Sequence, residues 1–283
     1  MNQLKAKKAI ESFLLEDLGE QDLSSSIFDK DAEGVGTFVA KSDGVLSGVQ
    51  IIEWAYQLLG GNFSVKYGKK DGDSLKKGDI IATVKGSIPT LLMGERVILN
   101  LMQRMSGIAT LTKRAVDQLN SGVTQIADTR KTMPGLRQFD KYAVTCGGGK
   151  NHRFGLYDAV MLKDNHIAYA GSIEKAVAAA RAKVGHTVKI EVETETEAQV
   201  VEAVKAGADI IMLDNCPPEV IKERIKLIPA SIITEASGGI TLDNLHTFKD
   251  SGVGYISLGC LTHSVMALDI SFNLEGGTKT WTY

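Results

Sequence analysis

From about residue 122 to residue 264 the chain alternates short apolar runs that end in charge with amphipathic stretches. TQIADTRK is followed by DAVMLKDN and then by the helical pattern SIEKAVAAARAKVG. VKIEVETE leads into TEAQVVEAVKAG, ADIIMLDN into PPEVIKERIKLI, and SIITEASGG into TLDNLHTFKDSG, before GYISLGCLTH closes the series. Strands separated by helices build parallel sheet, because a parallel neighbour needs a crossover long enough to bring the chain back to the same edge. The rhythm predicts six strands. An open doubly wound sheet and a closed barrel fit it equally well, and periodicity does not choose between them.

The first part of the chain has a different texture. Leu4, Ile10, Phe13, Leu14 and Leu18 recur at helical spacing and predict an amphipathic helix over residues 4–18. From Gly34 to Gly86, β-branched runs are broken by Gly and Asp, as in strands joined by turns. The stretch TLLMGERVILNLMQRMSGIATLTKRAVDQL then reads as a long helix, with Gly94 and Gly107 as its weak points.

Composition excludes several classes. With 32 basic and 34 acidic residues the net charge is −2, which gives no general attraction to nucleic acid or anionic membrane. No run of 18 apolar residues occurs, and the first twenty residues lack the apolar core of a signal peptide. Cys146, Cys216 and Cys260 are odd in number, far apart and free of CxxC spacing, which fits reduced thiols and a cytoplasmic location. There is no GxSxG, P-loop or GxGxxG motif, and no His/Cys cluster with transition-metal spacing. Cys146 beside three glycines shows no local context that would activate a thiolate.

Ligands of α/β folds sit beyond the carboxyl ends of the strands. Here those ends are polar in five successive cases: Asp128, Arg130 and Lys131; Lys163, Asp164 and Asn165; Glu191, Glu193 and Glu195; Asp214 and Asn215; Glu235, Ser237, Gly238 and Gly239. Any one of these reads more readily as a helix cap or a local ion pair; a whole rim of them reads as a site. The cations Arg130, Lys131, Arg153 and Lys163, with Arg137 and His152 nearby, suit a ligand with several negative charges. SGGI at 237–240, before a helix opening at TLDN, suits a phosphate, and Gly259 one strand later leaves room beside it. Glu193 and Asp214 on neighbouring strands suit ribose hydroxyls or a Mg²⁺-bound pyrophosphate.

DTRKTMPGLR at 128–137, GGGKNHRFGLYDAVMLKDNH at 147–166, EVE at 191–193, MLDN at 212–215, EASGGI at 235–240 and GCLTHS at 259–264 together resemble the quinolinate phosphoribosyltransferase family. LLEDLGEQDLSS at 14–25 and GERVILNLMQRMSGIAT at 94–110 extend the resemblance over nearly the whole chain. It implies an N-terminal α/β sandwich over 1–108, joined by the tail 265–283, and an incomplete α/β barrel of seven strands over 109–264. It implies a homodimer, open to higher association, in which Arg96 of one subunit enters its partner's site. Quinolinate would meet Arg96, Thr129, Arg130, Lys131, His152, Arg153 and Lys163. The donor, 5-phosphoribosyl-1-pyrophosphate, would meet Glu193, Asp214, Ser237, Gly238, Gly239, Leu258, Gly259, Cys260 and His263. Lys131, Lys163, Glu193 and Asp214 would carry the catalysis, with Mg²⁺ near Glu193 and Asp214 through water or pyrophosphate. Met133 and Phe154 depart from the family's usual residues and carry no binding charge. Sister enzymes acting on a monocarboxylate, and a barrel that senses a phosphorylated metabolite, stand as alternatives. The full cation set disfavours the first, and Glu193 with Asp214 disfavours the second. GDSLKKGDIIATVKG also resembles a carrier-domain hairpin but lacks a lysine in the context a carrier requires.

Overall fold

The computed structural model describes residues 1–29 and 31–275. The chain forms two compact units, Met1–Leu111 with Met133–Gly148 and Ser264–Tyr283, and Thr112–Thr132 with Gly149–His263. The part of the expected tail 265–283 beyond residue 275 lies outside the described residues.

In chain order come α1 (Gln3–Leu18), β1 (Glu33–Ala40), β2 (Gly44–Val45), α2 (Gln50–Leu59), β3 (Phe63–Tyr67), β4 (Ser74–Leu75), β5 (Ile80–Ser87) and α3 (Ile88–Leu119). They are followed by β6 (Gln125–Ala127), α4 (Arg137–Cys146), β7 (Val160–Leu162), α5 (Asp164–Ala170), α6 (Ile173–Arg181), β8 (Ile190–Thr194), α7 (Glu197–Lys205) and β9 (Ile210–Asp214). The last are α8 (Pro218–Ile225), β10 (Ile233–Ser237), α9 (Leu242–Leu245), β11 (Tyr255–Ser257), α10 (Cys260–His263) and β12 (Ile270–Glu275).

In the first unit, Asn2 caps α1 by accepting the Lys5 N–H at 3.1 Å, and the helix buries Ala6, Ile10 and Leu14, one residue per turn of a single face. A four-stranded antiparallel sheet follows the order β12-β1-β5-β3. Along β1 the burial alternates strictly, so one face packs inward. Gly36 on that strand leaves room for the Phe272 ring, whose tip would lie 2.0 Å from a Cβ placed there. α4, which the sequence reading kept with the second half, belongs to this unit. It is tied to α3 by a two-pronged pair from Arg104 Nε and Nη2 to the buried Asp140 carboxylate, both at 2.8 Å.

The second unit contains all six expected strands in one parallel sheet, ordered β6-β11-β10-β9-β8-β7. From β7 to β11 the strands step in one direction without reversal, and the first strand of the unit, β6, pairs with the last, β11. Beside β6, Lys150 makes a single parallel bridge to Ala127, so among the described residues the sheet is six strands and one bridge. Because every strand runs the same way, all carboxyl ends meet on one rim.

Candidate active site

That rim encloses a cavity of about 770 Å³. Side chains alternate across a strand, so residues two apart share a face. The cavity wall follows this rule: Met161 on β7 and Lys163 just after it, Met212 and Asp214 on β9, Glu235 and Ser237 on β10, Ser257 and Gly259 at β11. On β8, Glu193 lines the wall and Glu191 lies two residues deeper, fully buried.

The cavity carries a set of cations. Arg130, Lys131, His152, Arg153 and Lys163 all line it. The loop that carries His152 is organised by Asp128, a buried carboxylate at the end of β6, which accepts the His152 backbone N–H at 2.7 Å and Asn151 Nδ2 at 2.7 Å. Arg153 is anchored by Nη1 donating to the Ala159 carbonyl at 3.0 Å, and Thr262 Oγ1 donates to the Lys131 carbonyl at 2.8 Å. The buried Arg130 Nε has no hydrogen-bond partner among the described residues, a donor poised for an anion. Burial, and then the neighbouring Arg130, lower Arg153 from its ordinary value.

His152 Nε2 lies 3.2 Å from Glu191 Oε2 and 3.4 Å from Glu235 Oε2. Burial works against its charge, but the two carboxylates outweigh that and hold the imidazole up to about 10. Its Nδ1 faces the Arg153 N–H at 2.7 Å, an arrangement that favours the neutral ring. We give the carboxylates precedence, since two charged partners at this depth outweigh one amide dipole. Burial first, with Glu235 adding to it, raises Glu191. Sequence spacing gave no sign of a transition-metal cluster, yet the fold brings the His152, Glu191 and Glu235 donor atoms within 4.8 Å of one another.

Carboxylates and glycines of the same lining suit an oxygen-rich ligand. Glu193 pairs with Lys163 Nζ, and burial, then Glu193, raise Asp214. Two facing carboxylates of this kind are the hard-oxygen donor set that Mg²⁺ prefers. Gly238 and Gly239 follow with φ of 83° and 64°. Asn244 Nδ2 donates to the Gly239 carbonyl at 2.9 Å and braces the turn. The helix expected behind this turn, α9, is only four residues long, so backbone N–H groups and not a long helix dipole would attract an anion there. A Cβ on Gly259 would stand 3.0 Å from Lys131 Cδ and 3.1 Å from His263 Cδ2, so the glycine keeps the space open.

Of the expected site residues, Thr129, Arg130, Lys131, His152, Arg153, Lys163, Glu193, Asp214, Ser237, Gly238, Gly239, Gly259, Cys260 and His263 come together around the cavity. Two do not. Leu258 is fully buried with its N–H on the Ala127 carbonyl, and Arg96 is on α3 in the first unit, 3.8 Å from Glu95. Met161 and Met212 were not expected as site residues; Glu191, Asn215 and Glu235 were noted only as strand ends.

Models of known families match both parts of the chain: the quinolinate phosphoribosyl transferase N-terminal domain over residues 22–106 and the C-terminal domain over residues 108–273. The chain belongs to the quinolinate phosphoribosyltransferase family. A relative in Bacillus subtilis, named a probable nicotinate-nucleotide pyrophosphorylase (carboxylating), is 55% identical over 97% of this chain and 95% of its own length. A relative of the same name in Methanothermobacter thermautotrophicus is 41% identical over 94% of this chain and 98% of its own. The crystal structure of NadC from Streptococcus pyogenes superposes with a TM-score of 0.94 at 41% identity, covering 98% of each chain. In this family's terms, all cavity residues fall within the C-terminal domain match, and Arg96 falls within the N-terminal one.

Proposed function

We propose that the chain transfers the phosphoribosyl group of 5-phosphoribosyl-1-pyrophosphate to quinolinate and releases CO₂, forming nicotinate mononucleotide and pyrophosphate in NAD synthesis. The observation that carries this reading is one cavity lined by two sets of residues, a cation set and a set of carboxylates and glycines. The first suits a ring dianion, the second a sugar phosphate.

Arg130, Arg153 and His152 hold the two ring carboxylates and aim the ring nitrogen at the anomeric carbon, and that orientation is a large part of the rate enhancement. The nitrogen lone pair forms the new C–N bond as the bond to pyrophosphate breaks. Positive charge grows on the ribose during this step, and Glu193 and Asp214 lie on the wall where they stabilise it. The ring nitrogen carries no proton, so no general base is required. The 2-carboxylate then leaves as CO₂, its bonding electrons pass toward the cationic ring nitrogen, and a proton from solvent takes its place. Lys131 and Lys163 steady the charges of both steps. Mg²⁺, held through water or pyrophosphate by Glu193 and Asp214, would supply charge neutralisation for the departing pyrophosphate.

The proposal extends to the assembly: an incomplete barrel whose seventh stave is the segment at Lys150, in a cytosolic homodimer where Arg96 completes the neighbouring subunit's site. No helix among the described residues is long and apolar enough to cross a membrane. The test is to supply the donor and Mg²⁺ with quinolinate or with nicotinate and to assay nicotinate mononucleotide and CO₂. Product from quinolinate alone is expected, with loss of turnover when a chelator removes Mg²⁺. Product from nicotinate alone would overturn the substrate assignment and keep the donor site.

A further inference from the structure

Asn215 lines the cavity directly after Asp214, and three features set it apart. Its backbone is left-handed, with φ 53°, a conformation that among the described non-glycine residues only Asn120 shares. Its Nδ2 donates to Asp214 Oδ2 at 2.7 Å, and its backbone N–H donates to the Ser237 carbonyl at 2.8 Å. Its side chain also lies against the Cα of Gly238: a Cβ there would come within 2.3 Å of Asn215 Oδ1 and 2.7 Å of its Cγ. The carboxylate beside it is an acceptor, which fixes the amide with nitrogen toward Asp214 and oxygen toward Gly238. One side chain therefore touches the last carboxylate of β9 and the glycine turn after β10.

We propose that Asn215 is a positioning residue that locks the Asp214 carboxylate to the 237–239 turn, so that the sugar and the phosphate of the donor are gripped at one fixed separation. This rests on reading Asp214 and the 237–239 turn as part of the donor site. Neither contact is made to Arg130, His152 or Arg153, the residues proposed to hold the acceptor. A left-handed asparagine is one of the few residues that supply both the backbone bend and an amide donor at this point.

The test uses Asn215→Asp and Asn215→Gly in the full chain. Aspartate keeps the shape and tolerates the left-handed backbone, but it sets an acceptor against Asp214. Glycine keeps the backbone and removes both side-chain contacts. For Asn215→Asp the donor KM is expected to rise about tenfold or more, the worth of a charge-assisted hydrogen bond, with quinolinate KM within about twofold of the parent. Asn215→Gly should show the same split at smaller amplitude. Calorimetric titration of 5-phosphoribosyl-1-pyrophosphate should give the same order of affinities, and melting temperatures report folding separately. Unchanged donor KM in both variants, or equal rises for donor and quinolinate, overturns the inference while parental turnover keeps the function. A parent chain that neither binds the donor nor forms product overturns the function, and the inference with it.

Discussion

Arg130 and Arg153 line the same cavity, and burial, then the Arg130 charge, make the Arg153 charge harder to hold. A dianion between them relieves that repulsion and satisfies the unpartnered Arg130 Nε. Replacing Arg130 by alanine should therefore raise quinolinate KM roughly ten- to a hundredfold, the worth of a charged hydrogen bond, and leave donor KM within about twofold. Equal losses for the two substrates, measured by varying each at saturation of the other, would count against the assignment. His152 adds a pH signature. Its folded value, about 10, lies above the ordinary 6.5, so the folded chain keeps a proton that the unfolded chain releases in between. The stabilisation is complete below about pH 6.5 and is lost as pH climbs through about 10. Quinolinate affinity should weaken over the upper end of the same window as the cation disappears. In a His152→Gln chain, urea midpoints and quinolinate KM should both lose this alkaline slope; a slope that persists unchanged would assign it to another group.

At the scale of elements, the alternation of strand and helix was legible because each strand is a short apolar run and each helix an amphipathic one. The six-strand sheet follows from that pattern. Most of the cavity wall was legible from charge at strand ends. What stayed hidden came from the two-residue period within each strand: Met212 and Met161 sit two positions before Asp214 and Lys163 and so point the same way. Reading every second residue back from each strand end would have found them. The assignment of α4 to the first unit was not legible, because it depends on Arg104 meeting Asp140 across 36 residues of chain. That pair makes its own prediction. Asp140 is fully buried and accepts both prongs of Arg104, so Arg104→Ala leaves a buried carboxylate without them. Loss of one partner of a buried pair costs about 3 kcal/mol or more, which urea unfolding would read as a clear fall in midpoint. A change under about 0.5 kcal/mol would mean that the pair is screened like a surface one.

The whole molecule poses a question that no single cavity answers: the cation expected from Arg96 does not line the cavity of its own chain. If two copies exchange this residue about a twofold axis, each active site takes Arg130 from one chain and Arg96 from the other. Symmetry then makes the sites separable by mutation. An Arg96→Ala chain and an Arg130→Ala chain should each be nearly inactive alone. Coexpressed in equal amounts with different tags, about half of the dimers would be hybrids. In a hybrid, the cavity of the Arg96→Ala chain has its own Arg130 and receives an intact Arg96, whereas the other cavity carries both defects. One site in two works in half of the dimers, so activity should return to about a quarter of the unsubstituted level, and to about half in hybrids purified through both tags. Activity in the doubly tagged fraction that stays at the level of the single variants would rule out a shared site and confine the cations that matter to one chain.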